Sequence, residues 1–120
     1  MKLLFQIGGK SYAAALTLGD YAAQIAAMCP FEASYQPSGG HEFYSRLPLA
    51  VHGQADETSR VRKNALYCFA PWNALSIVTK DTDISPYGVV HLGDFEEDIA
   101  ATLAQTKGSV TIRCEVTRDE

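Results

Sequence analysis

The residues best suited to acid–base or metal chemistry are three histidines, His41, His52 and His91, because their ordinary pKa lies near neutrality. None has another histidine two or four residues away, and none lies in an H-E-x-x-H motif. A metal site would therefore need ligands gathered from separate loops. The adjacent pair His41-Glu42 does not supply one, since neighbouring side chains in a strand point to opposite faces. The sequence predicts neither a metal ion nor an organic cofactor.

Nucleophilic chemistry would fall to the cysteines, and these also look structural. The chain has three, Cys29, Cys68 and Cys114, at wide spacings and without a C-x-x-C pair. Secreted disulfide frameworks use an even and denser set, so we expect reduced thiols and a cytoplasmic protein. Cys68 and Cys114 lie in apolar stretches with strand character, where burial raises a thiol's pKa and makes it unreactive. We predict that both are buried and unpaired.

Aromatic residues in the middle of the chain give a stronger indication of a site. They are Phe43, Tyr44, Tyr67, Phe69, Trp72 and Tyr87. Aromatic side chains with a few polar groups are typical of the walls of a ligand pocket. Our candidate binding residues are Glu42, Phe43, Tyr44, Tyr67 and Trp72. The alternative is that the aromatic side chains form the core and its rim.

Composition limits the class of protein that must position these residues. The 120 residues are 47% hydrophobic and 20% charged, which predicts one globular domain spanning residues 1–120. A net charge of −4 argues against a nucleic-acid partner, which usually requires a basic face. The first apolar run ends at Gln6 and no stretch approaches 18 apolar residues, so we expect neither a signal peptide nor a membrane partner.

The first half of the chain predicts a hairpin, a helix and short strands. Leu3–Ile7 and Ser11–Thr17 flank the turn residues Gly8-Gly9. A helix follows after Asp20, its predicted cap, and Pro30 ends it. Further segments are predicted as strands at Phe31–Tyr35 and Glu42–Leu47 and as a solvated polar loop at His52–Asn64.

The second half carries the stronger strand patterns. Ala65–Phe69 and Ala74–Val78 flank Ala70–Asn73 and predict a hairpin, with Pro71 in the turn because it cannot donate to a ladder. The remaining predictions are a turn at Lys80–Pro86, a strand at Tyr87–Leu92, a helix that opens at Asp94, and an alternating strand at Ser109–Val116. Strands outnumber helices and most links are hairpins. The order therefore predicts an all-β, mainly antiparallel sheet closed into a small barrel with two helices.

Several short motifs occur in an order that resembles a known family. They are Phe5–Leu16, Glu42-Phe43-Tyr44 followed by Leu47-Pro48, Tyr67–Pro71, Leu75–Val78 and Leu92-Gly93. The chain resembles the small bacterial and archaeal cyclophilin-like proteins. That resemblance implies a closed eight-stranded antiparallel barrel with a helix capping each end. The family usually has Gly-Asp before the strand of Tyr67, where this chain has Lys63-Asn64; asparagine also tolerates the left-handed conformation.

The resemblance leaves three functions open. Cyclophilins are prolyl isomerases that seat proline in an apolar pocket while an arginine hydrogen-bonds the twisting amide. Only Arg46, in Phe43–Pro48, matches that arginine, and the Gln-Gly-Gly-Asp stretch of true cyclophilins is absent. Our leading hypothesis is a non-catalytic module that binds a small molecule or a peptide. The alternatives are a weak isomerase centred on Arg46 and a structural or oligomerisation module, and a homo-oligomer is compatible with each.

Overall fold

A computed structural model describes residues 1–117 of the chain. Its strands are β1 (Lys2–Ile7), β2 (Lys10–Leu16), β3 (Phe31–Ser38), β4 (Glu42–Arg46), β5 (Arg60–Val61), β6 (Ala65–Phe69), β7 (Ala74–Val78), β8 (Thr82–Asp83), β9 (Val90–Phe95) and β10 (Val110–Thr117). Its helices are α1 (Asp20–Met28), α2 (Ile99–Ala104) and a short 3-10 turn at Ala70–Trp72. These bounds match the predicted hairpins, the first helix and the last strand closely.

Eight of the strands form a closed barrel in the order β1-β10-β3-β4-β7-β6-β9-β2. Every neighbouring pair is antiparallel, and closure leaves no unpaired edge in this sheet. The predicted fold class, an antiparallel eight-stranded barrel with two helices, is confirmed. Strands β5 and β8 pair with each other as a separate ribbon, called the β5–β8 ribbon below.

Residues 1–117 contain two clusters of buried apolar side chains, one inside the barrel and one on its outer face. Alternation in β10 places Ile112 and Cys114 in the main cluster, while Thr111 and Arg113 face solvent. Strands β6 and β7 are apolar on both faces, so their periodicity is hidden. Three of their outward residues, Ala65, Tyr67 and Val78, form the second cluster together with Val61 of β5 and with Val89; Phe69 and Ile84 pack against it.

The start of the second helix differs from the prediction. Asp94 belongs to β9, where it pairs with Ala15 and Ala65, and it does not cap a helix. Strand β9 continues because Phe95 is buried and its ring lies 5.1 Å from the ring of Phe5. The cap of α2 is Asp98, whose carboxylate accepts the Ala101 N–H at 3.1 Å.

The first helix also begins differently from the prediction. Gly19 is its N-cap and no side chain caps it, so Asp20 is instead the first helical residue. At this position an acidic side chain is favourable because of the helix dipole. No helix within residues 1–117 has the length and apolar character needed to cross a membrane.

The predicted polar loop and the turn after β7 contain the β5–β8 ribbon. Arg60 pairs with Asp83 and Val61 with Thr82, and two-residue strands are too short for their periodicity to be recognised. Next to the ribbon, Asn64 has a φ of 64°, the left-handed conformation expected from its sequence position. Its side chain accepts the Ala100 N–H of α2 at 2.8 Å, so asparagine has a structural role here.

Candidate binding pocket

The outer face of strands β4, β7 and β6 is the floor of a pocket of about 590 Å³, called the outer-face pocket below. Tyr44, Ser76 and Tyr67 are aligned across the three strands and share this face. In the next row, Ala74 of β7 lies beside Phe69 of β6. The central strand thus carries small side chains between larger ones, and this difference in size produces a trough.

The walls come from the β5–β8 ribbon and from an aromatic group. Val61, Thr82, Asp83 and Ile84 line the side formed by the ribbon. On another side, the ring of Phe69 lies 5.7 Å from that of Trp72 and 6.2 Å from that of Tyr87, both edge to face.

Trp72 and Tyr87 are 57% and 62% exposed, although both are large and mainly apolar. Trp72 is placed by the predicted hairpin turn, which ends at Asn73 with a φ of 51°. The trough is therefore bordered by aromatic surface that remains accessible to a ligand.

Polar groups gather around Glu42. The hydroxyl of Ser76 donates a hydrogen bond to Oε1 of Glu42, and Nε2 of His41 lies 3.7 Å from Oε2. The side chains of His41 and Glu42 are 18% and 25% exposed, so both are partly shielded from solvent. Low exposure strengthens electrostatic interactions with a bound molecule.

The second acidic residue at the pocket, Asp83, is already satisfied by its neighbours. Its Oδ1 accepts the Ser85 hydroxyl at 2.6 Å and the Ser85 N–H at 3.0 Å. These bonds, with a smaller contribution from Arg60, lower the pKa of Asp83 and keep it ionised. The hydroxyl of Tyr67 accepts the Arg62 N–H at 3.0 Å, which fixes the tyrosine against the ribbon.

Four of the five candidate binding residues line the outer-face pocket: Glu42, Tyr44, Tyr67 and Trp72. Phe43 instead packs in the barrel core at 7% exposure, because it alternates with Glu42 and Tyr44 along β4. The core interpretation therefore applies to Phe43, whereas Tyr44 and Trp72 border the pocket.

Arg46 is exposed at the end of β4, one row beyond Tyr44, and is not part of the pocket lining. Sequence reasoning missed Ser76 and the ribbon residues. Ser76 is the one polar residue within Ala74–Val78, which was the available signal.

The histidines and cysteines are the remaining candidates for metal or thiol chemistry. Within residues 1–117, no group of three or more histidine, cysteine or acidic residues is arranged to hold a metal ion. Cys68 and Cys114 are buried and unpaired, as predicted. Cys29 is half-buried, with its Sγ 3.6 Å from that of Cys114.

Comparisons with known proteins agree with this architecture. The hypothetical protein AF2241 from Archaeoglobus fulgidus, known from a solution structure, superposes with a TM-score of 0.76 and 17% identity over 96% of this chain and 93% of that chain. A likeness at this identity shows the fold alone. No curated protein matches the chain. The sequence model of the cyclophilin-like family matches residues 5–115, from β1 to β10. The chain therefore belongs to the cyclophilin-like family.

Proposed function

We propose that this protein is a non-catalytic binding domain whose ligand, a small molecule or a short peptide segment, occupies the outer-face pocket. The observation that carries the proposal is a cavity of about 590 Å³ lined mainly by aromatic and aliphatic side chains with a few polar groups. Small-molecule sites in proteins have this size and this composition. A pocket bordered by Trp72 and Tyr87 also differs from the flat apolar patch that an oligomerisation module would require.

The pocket is organised before any ligand arrives. Its floor is part of a closed hydrogen-bonded barrel, and the Arg62 N–H holds the hydroxyl of Tyr67. The ring of Tyr67 also packs 5.4 Å from that of His91. Side chains that are already ordered lose little conformational freedom on binding, so more of the contact energy appears as affinity.

Weak prolyl isomerase activity is the second candidate, because Arg46 shares the outer face of β4 with Tyr44. Within residues 1–117, however, the Arg46 guanidinium has no hydrogen bond or ion pair to orient it. Ordering a free arginine costs about 2 kcal/mol of side-chain entropy, which offsets the benefit of a transition-state hydrogen bond. Binding without catalysis therefore fits the geometry better.

The test is a fragment screen followed by heteronuclear NMR. Shifts should concentrate on Tyr44, Tyr67 and Ser76 and on the indole N–H of Trp72, which is the chain's single tryptophan and gives one unambiguous signal. Fragments that bind only at other surfaces would contradict the proposal.

Two matched variants sharpen this screen. Trp72→Ala should weaken binding about tenfold, a loss of about 1.4 kcal/mol. Leu49→Ala removes a side chain of similar exposure, 63%, that does not line the pocket, and should leave affinity unchanged. Equal effects of the two substitutions would show that the pocket is not the binding site.

A further inference from the structure

We propose that the outer-face pocket selects a small organic cation, an ammonium group carried on an apolar or aromatic body, with Glu42 as its counter-charge. This inference rests on the proposed function, because it assigns a ligand class to the same pocket.

The carboxylate of Glu42 is held in place inside the pocket. Ser76, which is only 4% exposed, donates its hydroxyl to Oε1 and ties the side chain to the central strand of the floor. Oε2 lies 3.7 Å from His41 Nε2, which is longer than a normal hydrogen bond. A carboxylate accepts several hydrogen bonds, so Glu42 retains capacity for a donor from a ligand.

The basic residues near the pocket either lie close to other carboxylates or do not line the pocket. No lysine or arginine lines the pocket in the part of the chain that the structure describes. Arg60 lies near Asp83, and Arg62 pairs with Asp94 at 3.1 Å. A negative ligand would therefore meet the carboxylates of Glu42 and Asp83 without a permanent positive charge among the lining residues. The net charge of −4 adds a long-range attraction for cations.

Aromatic residues neighbour Ser76, the residue that anchors the Glu42 carboxylate. Tyr44, which is half-buried, lies on one side of Ser76 and can offer its ring to an ammonium group, whereas Tyr67 on the other side is 1% exposed and closes the floor. The faces of tyrosine and tryptophan rings carry partial negative charge and attract cations, whereas they give little preference for an anion. The aliphatic wall formed by Val61, Ile84 and Val89 would cover the apolar body of the ligand.

The topology favours a small molecule over an added peptide strand. Each floor strand is already paired on both sides, β4 with β3 and β7, β7 with β4 and β6, and β6 with β7 and β9. Strand addition requires an open edge, and the floor offers none. We therefore infer that the occupant of the pocket is a small amine.

The experiment compares three ligands of similar size and different charge at neutral pH: 2-phenylethylamine, 2-phenylethanol and 3-phenylpropionate. Calorimetry and the fluorescence of Trp72 report binding. We expect the amine to bind about tenfold or more tightly than the alcohol, and the carboxylate to bind more weakly than either. Equal affinity for the amine and the alcohol overturns the inference and leaves the proposed function standing.

Variants identify the counter-charge. Glu42→Gln should reduce amine affinity about tenfold and alcohol affinity much less, because the alcohol loses only a hydrogen bond to a charged acceptor and no ion pair. Glu32→Gln makes the same charge change at an exposed position of β3 that does not line the pocket, and should have little effect on either ligand. Ser76→Ala keeps the charge but frees the carboxylate, and should weaken amine binding less than Glu42→Gln does.

Two further outcomes overturn the inference. One is an amine affinity that is the same in Glu42→Gln and in the unaltered protein. The other is that 2-phenylethylamine does not bind whereas a lysine-containing tripeptide with an acetylated N-terminus and an amidated C-terminus does. The occupant would then be the lysine side chain of a peptide. If the fragment screen also finds no ligand in the pocket, the proposed function fails together with the inference.

Discussion

Arg46 distinguishes a binding domain from an isomerase at the level of a single side chain. Prolyl isomerisation has a barrier of about 18–20 kcal/mol, and an arginine lowers it only if its hydrogen bond strengthens as the amide twists. The exposed Arg46 guanidinium is not held in such a position. We expect no acceleration above background in an assay with a proline-containing peptide. An acceleration that disappears in Arg46→Ala would instead promote the isomerase.

The three thiols should differ in reactivity. The hydrogen bond from Cys114 lowers the pKa of Cys29, whose side chain is half-buried. Burial raises the pKa of Cys68 to about 11, and the bond to Cys29 together with burial raises the pKa of Cys114. We expect a thiol reagent to label Cys29 first in the native protein, because the thiolate is the nucleophile.

Labelling kinetics of the native and the Cys29→Ser proteins would check this order. The variant should lose the fast phase and keep two slow thiols that become reactive on denaturation. Rapid labelling of all three thiols in the native protein would contradict the prediction that Cys68 and Cys114 are buried.

At the residue scale, the sequence identified the aromatic residues of the candidate pocket and Glu42. It failed where the answer depends on which face of a strand a side chain occupies. Phe43 and Tyr44 are adjacent aromatic residues, and only the pairing of β4 with its neighbours determines which one enters the core. Because side chains alternate along a strand, the two residues must face opposite sides of the sheet, but alternation does not show which side is buried. The bond between Ser76 and Glu42 joins residues 34 positions apart, and sequence spacing carries no signal for such a contact.

Among the elements, the hairpin of β6 and β7 was predictable because its turn residues and apolar runs agree. Ala70–Asn73 connects the two strands as expected, and Asn73 supplies the left-handed position. The β5–β8 ribbon was not predictable. Its strands have two residues each, and the paired residues Arg60 and Asp83 lie in the polar segments that normally indicate loops.

The side chain of Asn73 also holds the segment that follows β4 through hydrogen bonds to its backbone. Nδ2 donates to the Leu49 carbonyl at 2.8 Å and to the Leu47 carbonyl at 3.4 Å, and Oδ1 accepts the Val51 N–H at 3.1 Å. Asn73→Ala loses these side-chain bonds and places at a φ of 51° a residue that disfavours the left-handed conformation more than asparagine does. We expect the free energy of unfolding to fall by about 2–4 kcal/mol.

Urea denaturation would measure this loss, and Asn73→Gly would divide it into two parts. Glycine adopts the left-handed conformation freely, so this variant should recover the backbone part and still lack the side-chain hydrogen bonds. If alanine and glycine were equally destabilising, the backbone conformation would contribute nothing. If neither substitution changed the urea midpoint, the side chain would have no role in holding the segment.

For the whole molecule, the antiparallel barrel followed from the order of elements and from hairpin links between them. Sequence could not show where the barrel closes, because closure joins distant strands. Strand β1 pairs with β10, and β2 pairs with β9 through only three residue pairs. These three pairs between β2 and β9 are called the β2–β9 seam below. The prediction of a helix starting at Asp94 was wrong at this seam, because β9 continues through Asp94 to the buried Phe95.

Closure at this seam depends on Gly93, which lies opposite Leu16. A Cβ at position 93 would lie 2.3 Å from the Ala15 carbonyl oxygen and 3.2 Å from the Leu16 Cα, and both are backbone atoms that cannot rotate away. Gly93→Ala should therefore separate β2 from β9 and lower the free energy of unfolding by about 3 kcal/mol. Gly9→Ala is the matched control, because a Cβ there meets no atom within 4 Å and should leave stability nearly unchanged. Thermal and urea unfolding of both variants would measure the difference, and an unchanged midpoint for Gly93→Ala would mean that the two strands are not in close contact at the seam.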